Sequence, residues 1–328
     1  MIRGNECKEL ALWNEIVHDL GGHPLQLWGW GDLKAAHNWR VVRVIFTDEE
    51  GSVVGGSQVL LRKLPASIGN IAYVPRGPVA RKGSEDLVYG ALIDYVQTHC
   101  KAIVVTVEPD TEDAPTAAGW KQSANTVLIP RTLILDLEKT EDELLSVMSK
   151  KTRQYIRKSA NEAVTIRRVK SHDELALCLD IYHLTAERAG FALHGDEYYY
   201  DVAEKLDESS LVFAAFEEGK PIAFVWLAIS QKTAFELYGG MNEQGQLLRA
   251  NYALKWHAIR KCKEWGIERY DMNGLLNDGV STFKQGFASH EDMLAGTYDY
   301  ALSPLYGVWS KGLPQIKKVI RTINKLRK

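Results

Sequence analysis

The order of predicted elements repeats once along this chain, and the repeat restricts its fold more than any other feature. In the first half, the β runs VVRVIF and VVGGSQVLLRKL flank a turn at Thr47–Gly51, and NIAYVPRGPV follows. A helix over Glu85–His99 and the unbroken apolar strand AIVVTV come next. The second half has SLVFAAF and PIAFVWLAIS around a Glu217–Lys220 turn, then TAFELYGG, a helix over 247–265 and ERYDMNG. This repetition predicts two similar α/β domains.

Helices precede each hairpin, and a further β segment follows each set of elements. The lead-in helices are predicted at 8–20 and 27–36, and again at 140–160 and 172–189. The closing β segments are predicted at 126–137 and in GTYDYAL. A length of 328 residues suits two domains. We therefore predict domain 1 at 1–138, domain 2 at 139–302 and a basic terminal helix at 303–328.

Composition excludes several classes of protein. The four cysteines are widely spaced and include no C-x-x-C pair, which argues against a zinc site or a disulfide framework, and we expect no metal. The N-terminus is charged and the chain has no apolar run of about 18 residues, so we expect neither a signal peptide nor a membrane span. These features predict a cytoplasmic protein, with a monomer as the default. The formal charge of −2 means that any nucleic-acid contact must come from a local patch.

The repeated element order is similar to that of the GCN5-like N-acyltransferase (GNAT) fold, a mixed sheet flanked by helices. Members of that fold bind the pyrophosphate of acetyl-CoA on a glycine-rich turn before a helix. The corresponding stretches here, 73–83 and 239–250, lack the expected Arg/Gln-x-x-Gly-x-Gly/Ala spacing. We therefore expect two tandem GNAT-like domains whose acyl donor is not a CoA thioester.

Several segments, in order along nearly the whole chain, resemble the Fem (FemABX) family of nonribosomal peptidyltransferases. They are LWGWGDLKAAHNW, YVPRGPV, KKTRQYIRKS, TAERAGF, TAFELYGGMN, LLRANYALKWHAIRKCKEWG, RYDMNG and STFKQGFASHEDMLAGTYDY. The resemblance implies that the terminal helix packs back on domain 1. It also implies a shorter branch of the family, because no insertion here is long enough for the helical hairpin that many members carry.

The resemblance implies a function in cell-wall synthesis. Such an enzyme moves an amino acid from aminoacyl-tRNA, its donor substrate, to an amine of a peptidoglycan precursor, and needs no separate cofactor. The acceptor is a nucleotide-linked or a lipid-linked muropeptide. A lipid-linked acceptor would bring the protein into peripheral contact with the inner membrane face.

In the family, a lysine in the F-K-x-G-F stretch lies at the reaction centre, and here it is Lys284, preceded by Phe283. The chemistry agrees with this assignment. When an amine attacks an ester, negative charge develops on a tetrahedral oxygen, and a fixed ammonium stabilises that charge. We expect Phe283 to line the same substrate-binding region.

Three further residues match the family's acceptor contacts. Lys34 in DLKAAHNW and Arg188 in TAER are basic residues that suit a pyrophosphate, which needs paired cations. Tyr238 ends the third strand of the second half and is a candidate for contact with the acceptor's sugar or peptide. A structural role, as a tyrosine buried in the core, would account for this residue almost as well.

The attacking amine must lose a proton, and Glu108 is the candidate base. It follows the buried strand AIVVTV, where the family keeps an acidic residue near the acceptor. Asp110 and Asp271 are competing candidates, and the transfer RNA itself could accept the proton.

A local basic patch is the candidate surface for transfer RNA. Between Lys150 and Lys170 the sequence has eight basic residues and one acidic residue, in a chain that is otherwise neutral. Such a patch attracts phosphates. We assign the contact to the helical residues Lys150, Lys151, Arg153, Arg157 and Lys158. A solvated helix face is the alternative.

Other functions stay open on sequence alone. They are a CoA-dependent N-acetyltransferase, a non-enzymatic RNA-binding protein with an acyltransferase body, and an RNA-dependent transferase that acts on a protein or lipid amine. The amino acid transferred is not indicated.

Overall fold

The computed structural model describes residues 2–65, 68–160, 164–276, 279–307 and 310. Two short 3₁₀ helices lie at Pro24–Gln26 and Asp207–Ser209. The α-helices in chain order are α1 (Leu10–Asp19), α2 (Trp28–Ala36), α3 (Glu85–His99), α4 (Glu141–Val147), α5 (Lys150–Ala160), α6 (His172–Ala189), α7 (Asp196–Leu206), α8 (Glu243–Leu247), α9 (Ala250–Glu264) and α10 (Gly279–Gln285).

The strands are numbered separately, also in chain order. They are β1 (Arg3–Glu6), β2 (Arg40–Thr47), β3 (Val53–Lys63), β4 (Asn70–Pro75), β5 (Val79–Ala80), β6 (Ala102–Glu108), β7 (Trp120–Gln122), β8 (Arg131–Thr132), β9 (Ile134–Asp136), β10 (Thr165–Arg168), β11 (Ser210–Glu217), β12 (Lys220–Ile229), β13 (Thr233–Met241), β14 (Arg269–Asp271), β15 (Asp292–Met293) and β16 (Tyr298–Ala301).

Local sequence explains where several helices begin and end. Helix α4 starts with a capping box in which Thr140 and Glu143 bond each other's backbone amides. Helix α6 starts at Ser171, whose side chain accepts from the Glu174 amide, and stops at Gly190, whose φ of 74° is left-handed. Helix α3 has Glu85 and Asp86 in its first turn, where their negative charges interact favourably with the positive end of the helix dipole.

The first compact unit is built on a sheet with the order β1-β2-β3-β4-β6-β16-β7, with β5 beside β3. Strands β4 and β6 run parallel, and the other described pairs of this sheet are antiparallel. The core contains Val44, Phe46, Val74 and Val105 from the strands and Val88 from α3. Burial of these apolar side chains on one face of the sheet stabilises the unit.

The second unit has a sheet with the order β10-β11-β12-β13-β14-β9 and a separate two-stranded sheet, β8-β15. Its one described parallel pair is β13 with β14, which corresponds to β4 with β6 in the first unit. Its core includes Phe213, Trp256, Tyr270 and Phe287. The predicted duplication is therefore confirmed in sheet order as well as in sequence.

The structure divides the chain differently from the predicted domains 1–138 and 139–302. Residues 17–33 and 129–294 form the second unit, whereas residues 1–16, 34–128 and the described residues from Ala295 onward form the first. Strand β9 was expected in domain 1 but pairs with β14, and β16 was expected in domain 2 but pairs with β6. Pairing of short strands is non-local, so the sequence pattern did not show which sheet each one joins.

Two predictions concern the membrane and the terminal helix. Among the described residues, no helix is both long enough and apolar enough to cross a bilayer. The predicted terminal helix at 303–328 lies almost wholly outside the described residues, so its packing on domain 1 stays a prediction.

Candidate functional site

Lys284 lies in the last turn of α10, in the second unit, and is partly buried. Its Nζ donates to the main-chain oxygen of Asn273 at 2.9 Å and has a longer contact, 3.4 Å, to the oxygen of Gly274. The longer contact is near the limit for a hydrogen bond, so a negatively charged substrate oxygen could replace it at little cost. The amine of Lys284 is therefore fixed by the backbone that follows β14.

Asn273 shapes this backbone through its own conformation and contacts. Its φ of 56° lies in the left-handed region, which asparagine tolerates better than most residues. Its amide N–H donates to Asp271 Oδ1 at 2.7 Å, and its side-chain Nδ2 donates to the Glu236 main-chain oxygen at 2.9 Å. Its Oδ1 accepts from the Gly274 amide at 2.7 Å. These bonds set the direction of the carbonyl that holds Lys284.

A buried ionic pair supports the same region. Lys255 of α9 and Glu236 of β13 are both buried and form a short salt bridge, and the Tyr270 hydroxyl donates to the same Glu236 oxygen at 2.7 Å. Burial, followed by the charge of Glu236, raises the pKa of Tyr270 well above its usual value. Removing one partner of such a pair would leave an uncompensated buried charge.

Phe283 packs among aromatic rings beside this pair. Its ring centroid lies 5.0 Å from that of Tyr252 and 5.3 Å from that of buried Phe287, both edge-on, and Lys255 Nζ lies 5.4 Å from the ring. These contacts fix the start of the segment that carries Lys284. The predicted contact of Phe283 with substrate stays a prediction.

Gly286 in the F-K-x-G-F stretch allows helix α5 to approach. A Cβ at Gly286 would lie 2.3 Å from Thr152 Oγ1, so a larger residue would require that side chain to shift. The Gly286 carbonyl also accepts from the Ser149 amide at 2.9 Å. The basic helix α5 and the Lys284 segment are therefore direct neighbours.

Helix α5 carries the residues predicted to contact transfer RNA. Lys150, Lys151, Arg157 and Lys158 are exposed. Arg153 differs, because its guanidinium donates to the carbonyls of Leu145, Ser146 and Met148, with the shortest contact 2.5 Å. Arg153 therefore caps the end of α4, and this geometry favours a structural role over the predicted contact with RNA.

Tyr238 of β13 lies in an aromatic cluster. Its ring centroid is 5.1 Å from Tyr199, 5.5 Å from Tyr182 and 5.6 Å from Trp226. Burial, followed by the charge of Tyr198 and a hydrogen bond to it, raises the pKa of Tyr238 well above its usual value. The surroundings favour the packing role that the sequence left open, and contact with the acceptor stays a prediction.

The two predicted pyrophosphate contacts lie in different units. Arg188, in the last turn of α6 in the second unit, is exposed and reaches the Met241 carbonyl at 3.4 Å. Lys34, at the end of α2 in the first unit, is partly buried, and burial lowers its pKa to about 8. A cation with little water around it binds an anion more strongly than an exposed one does. The role of both residues stays a prediction.

Glu108 ends β6 in the first unit and is buried. Its Oε1 accepts from the amides of Val127 and Leu128 at 3.0 and 2.9 Å and from the Thr297 hydroxyl at 2.6 Å, and its Oε2 accepts a short bond from the Tyr73 hydroxyl. Burial, followed by the charge of Glu108, raises the pKa of Tyr73.

These contacts tie Glu108 to segments that are distant in sequence. A carboxylate that accepts from this many donors holds them together. The arrangement favours a positioning role for Glu108, and its role as general base stays a prediction. The competing candidate Asp271, in the second unit, is also buried and accepts from Thr132 Oγ1 at 2.5 Å.

Sequence reasoning did not single out Asn273, Glu236 or Lys255. Two signals were present. Asn273-Gly274 is a dipeptide typical of left-handed backbone, and Lys255 stands between apolar Leu254 and Trp256, where a charge needs a buried partner. The partner itself is 19 residues away and could not be identified from spacing.

The fold and the lysine-centred site define a tandem acyltransferase-like protein. Residues 116–217 and 214–311, together more than half of the chain, match the FemAB family. The chain therefore belongs to the FemAB family. The predicted family, the tandem GNAT-like fold class and the class of enzyme, an acyltransferase, are confirmed.

Similar sequences and solved structures agree with membership of the FemAB family. A lipid II:glycine glycyltransferase from Staphylococcus epidermidis is 22% identical and covers 93% of this chain and 95% of its own length. The crystal structure of FemX superimposes with a TM-score of 0.84 at 19% identity, covering 93% of this chain and 100% of FemX. A tandem GNAT protein from the clavulanic acid biosynthesis pathway gives 0.51 at 11% identity, covering 93% and 99%.

The alignment with the relative from Staphylococcus epidermidis also allows the lengths of the two chains to be compared. Its alignment spans 397 positions, and this chain fills about 305 of them (93% of 328 residues), so about 92 positions have no counterpart here. This agrees with the prediction that the chain is a shorter form of the family.

Proposed function

We propose that this chain transfers an aminoacyl group from aminoacyl-tRNA to an amine of a peptidoglycan-precursor stem peptide. The observation that carries the proposal is the position of Lys284 in a FemAB-family chain, with its amine fixed by the Asn273 carbonyl at 2.9 Å. The lipid II:glycine glycyltransferase that the chain resembles supports the choice of acceptor.

The reaction requires stabilisation of an oxyanion. The acceptor amine attacks the ester carbonyl of the charged transfer RNA, a C–N bond forms, and negative charge develops on the carbonyl oxygen. The Lys284 ammonium stabilises that charge, as fixed donors do in other acyl transfers. Collapse of the intermediate breaks the C–O bond, and the ribose oxygen leaves with the proton that the amine gives up.

The acceptor in this proposal is a muropeptide linked through a diphosphate to a nucleotide or to a lipid. The family resemblance makes Lys34 and Arg188 the basic residues predicted to contact that diphosphate. The reaction takes place in the cytoplasm, with peripheral contact at the inner membrane face for a lipid-linked acceptor. It uses no cofactor besides the donor RNA, and the enzyme acts as a monomer.

The test is a transfer assay. The purified protein is incubated with a mixture of charged transfer RNAs and either nucleotide-linked muropeptide or lipid II, and the muropeptide is weighed by mass spectrometry. A mass gain equal to one aminoacyl residue, lost in Lys284→Met and kept in Lys220→Gln, supports the proposal. Lys220 is an exposed lysine at the start of β12 and serves as a matched control.

The same assay separates the alternative functions. No gain on either muropeptide, together with a thermal shift and acetyl transfer in the presence of acetyl-CoA, would replace the proposal with a CoA-dependent acetyltransferase. The size of the added mass also identifies the amino acid.

A further inference from the structure

A second feature of helix α5 lies outside the basic residues assigned from sequence. Tyr155 is partly exposed, and Arg249 places its guanidinium carbon 4.6 Å from the Tyr155 ring centroid. Lys151 Nζ lies 5.6 Å from the same ring. Arg249 comes from the junction of α8 and α9, so residues distant in sequence form one surface of an aromatic ring with two cations.

Arg249 is held in place by its backbone. Its φ of 55° is left-handed, which is uncommon for a residue with a side chain. Helix α9 begins directly after it, and the Arg249 carbonyl accepts from the Tyr252 amide at 3.1 Å. The Arg249 side chain contacts α5 from this left-handed position.

Aromatic rings connect this surface to the Lys284 segment. The Tyr155 and Tyr252 centroids are 5.0 Å apart, and the Tyr252 and Phe283 centroids are also 5.0 Å apart. Phe283 directly precedes Lys284. The path from Tyr155 to the lysine segment is therefore only two ring contacts long.

We propose that Tyr155, Arg249 and Lys151 bind the single-stranded 3′ end of the donor transfer RNA. One nucleobase stacks on the Tyr155–Arg249 pair, and the adjoining phosphates bind Arg249 and Lys151. Proteins recognise unpaired bases by stacking them on aromatic rings or guanidinium planes, and basic side chains follow the backbone. The inference rests on the proposed function, because the ester to be attacked is at that 3′ end.

The chemistry favours RNA over the acceptor at this surface. The diphosphate of the acceptor is already assigned to Lys34 and Arg188, and a lipid-linked acceptor has no base to stack on the Tyr155 ring, whereas the unpaired RNA end offers bases and phosphates together. The neighbouring exposed cations, Lys150, Arg157 and Lys158, extend the positive surface for the RNA backbone.

The experiment uses uncharged RNA, so its readout does not depend on turnover. One probe is a stem-loop with the four unpaired 3′ nucleotides of a transfer RNA, and the other is the same stem-loop with a blunt end. Binding is measured by fluorescence anisotropy at several salt concentrations. We expect the wild type to bind the overhang RNA about tenfold more tightly than the blunt RNA, the size of one base-stacking contact.

The variants separate stacking from charge. Tyr155→Leu keeps an apolar side chain against Tyr252 and should lose the preference for the overhang, whereas Tyr155→Phe should keep it. Arg249→Gln should also weaken binding of the overhang RNA and reduce the salt slope by about one. Lys220→Gln is the matched control, and thermal melting confirms that each variant is folded.

The outcomes distinguish this inference from the proposed function. If the wild type binds neither RNA, transfer RNA is not the donor, and both proposals fall. If the wild type prefers the overhang and Tyr155→Leu and Arg249→Gln keep that preference, the 3′ end binds elsewhere and only this inference falls. A rise in the acceptor KM with unchanged RNA binding would assign the surface to the muropeptide and would also overturn it.

Discussion

Lys284 Nζ lies 2.9 Å from the main-chain oxygen of Asn273, a residue whose own backbone is left-handed. The amine that is proposed to stabilise the reaction's oxyanion is thus positioned by a backbone conformation that few residues adopt readily.

Replacement of Lys284 by methionine should lower kcat by about 10²–10³. The side chain keeps its length and apolar stem, so the fold and both substrate sites should persist. Single-turnover rates with saturating charged RNA and muropeptide provide the measurement. A rate within a few-fold of the wild type would show that the ammonium does not act in the chemical step.

Asn273→Gly and Asn273→Ala form a matched pair. Both lose the bonds to Glu236 and Gly274, but alanine also pays about 1–2 kcal/mol for the left-handed backbone. We expect both variants to lose activity, and the alanine variant to have the lower kcat and the lower Tm. Equal values in the two variants would mean that the backbone conformation at this position does not matter.

Glu108→Gln tests a positioning role against a role as general base. Glutamine cannot accept from all the donors around this side chain, so we expect the free energy of unfolding to fall by about 1–3 kcal/mol. The rate should fall while the pH–rate profile keeps its shape. Thr297→Val, which removes one of the donors, should reproduce part of the loss of stability.

A different result would restore the sequence-based prediction for Glu108. If Glu108→Gln keeps the wild-type Tm but loses the acidic limb of the pH–rate profile, the carboxylate takes the proton.

Lys34 should make acceptor binding depend on pH. Burial lowers the pKa of Lys34 to about 8, so the ammonium is present at pH 7 and is lost as the pH rises above 8. If the diphosphate binds only the charged form, the acceptor KM should be about tenfold higher at pH 9 than at pH 7. Lys34→Arg remains charged and should flatten this dependence. A wild-type KM that is constant from pH 7 to 9 would contradict the assignment.

The same shift in Lys34 also affects stability. Between pH 8 and the ordinary value near 10.5, the unfolded chain binds a proton that the folded chain has released. The contribution of Lys34 to stability therefore rises with pH across this range. Thermal melts of the wild type and Lys34→Met, compared at pH 7.5 and 9.5, should show the difference in Tm moving in favour of the wild type.

Arg153→Gln should affect stability and Arg157→Gln should affect RNA binding. Arg153 binds the carbonyls at the end of α4, so its loss should lower the Tm by a few degrees and leave the salt slope of RNA binding unchanged. Arg157 is exposed, so its loss should reduce that slope by about one and leave the Tm unchanged. The reverse pattern would show that Arg153 faces the RNA.

The sequence by itself determined the repeated element order, the GNAT-like fold class and the family, and it singled out Lys284 as the candidate for the reaction centre. The limits predicted for α3 and α6 agree with the structure, and in α6 the residues that start and stop the helix, Ser171 and Gly190, are adjacent to it. Apolar periodicity and helix caps are local properties, so they can be read along the chain.

Only the tertiary structure decided which sheet β9 and β16 join and which residues hold Lys284. It also showed that the side chains of Arg153 and Glu108 form hydrogen bonds within the protein. Each of these facts depends on groups far apart in sequence. Strand pairing and buried hydrogen bonds depend on which groups folding brings within about 3 Å of each other. The spacing of residues along the chain does not show which groups these are.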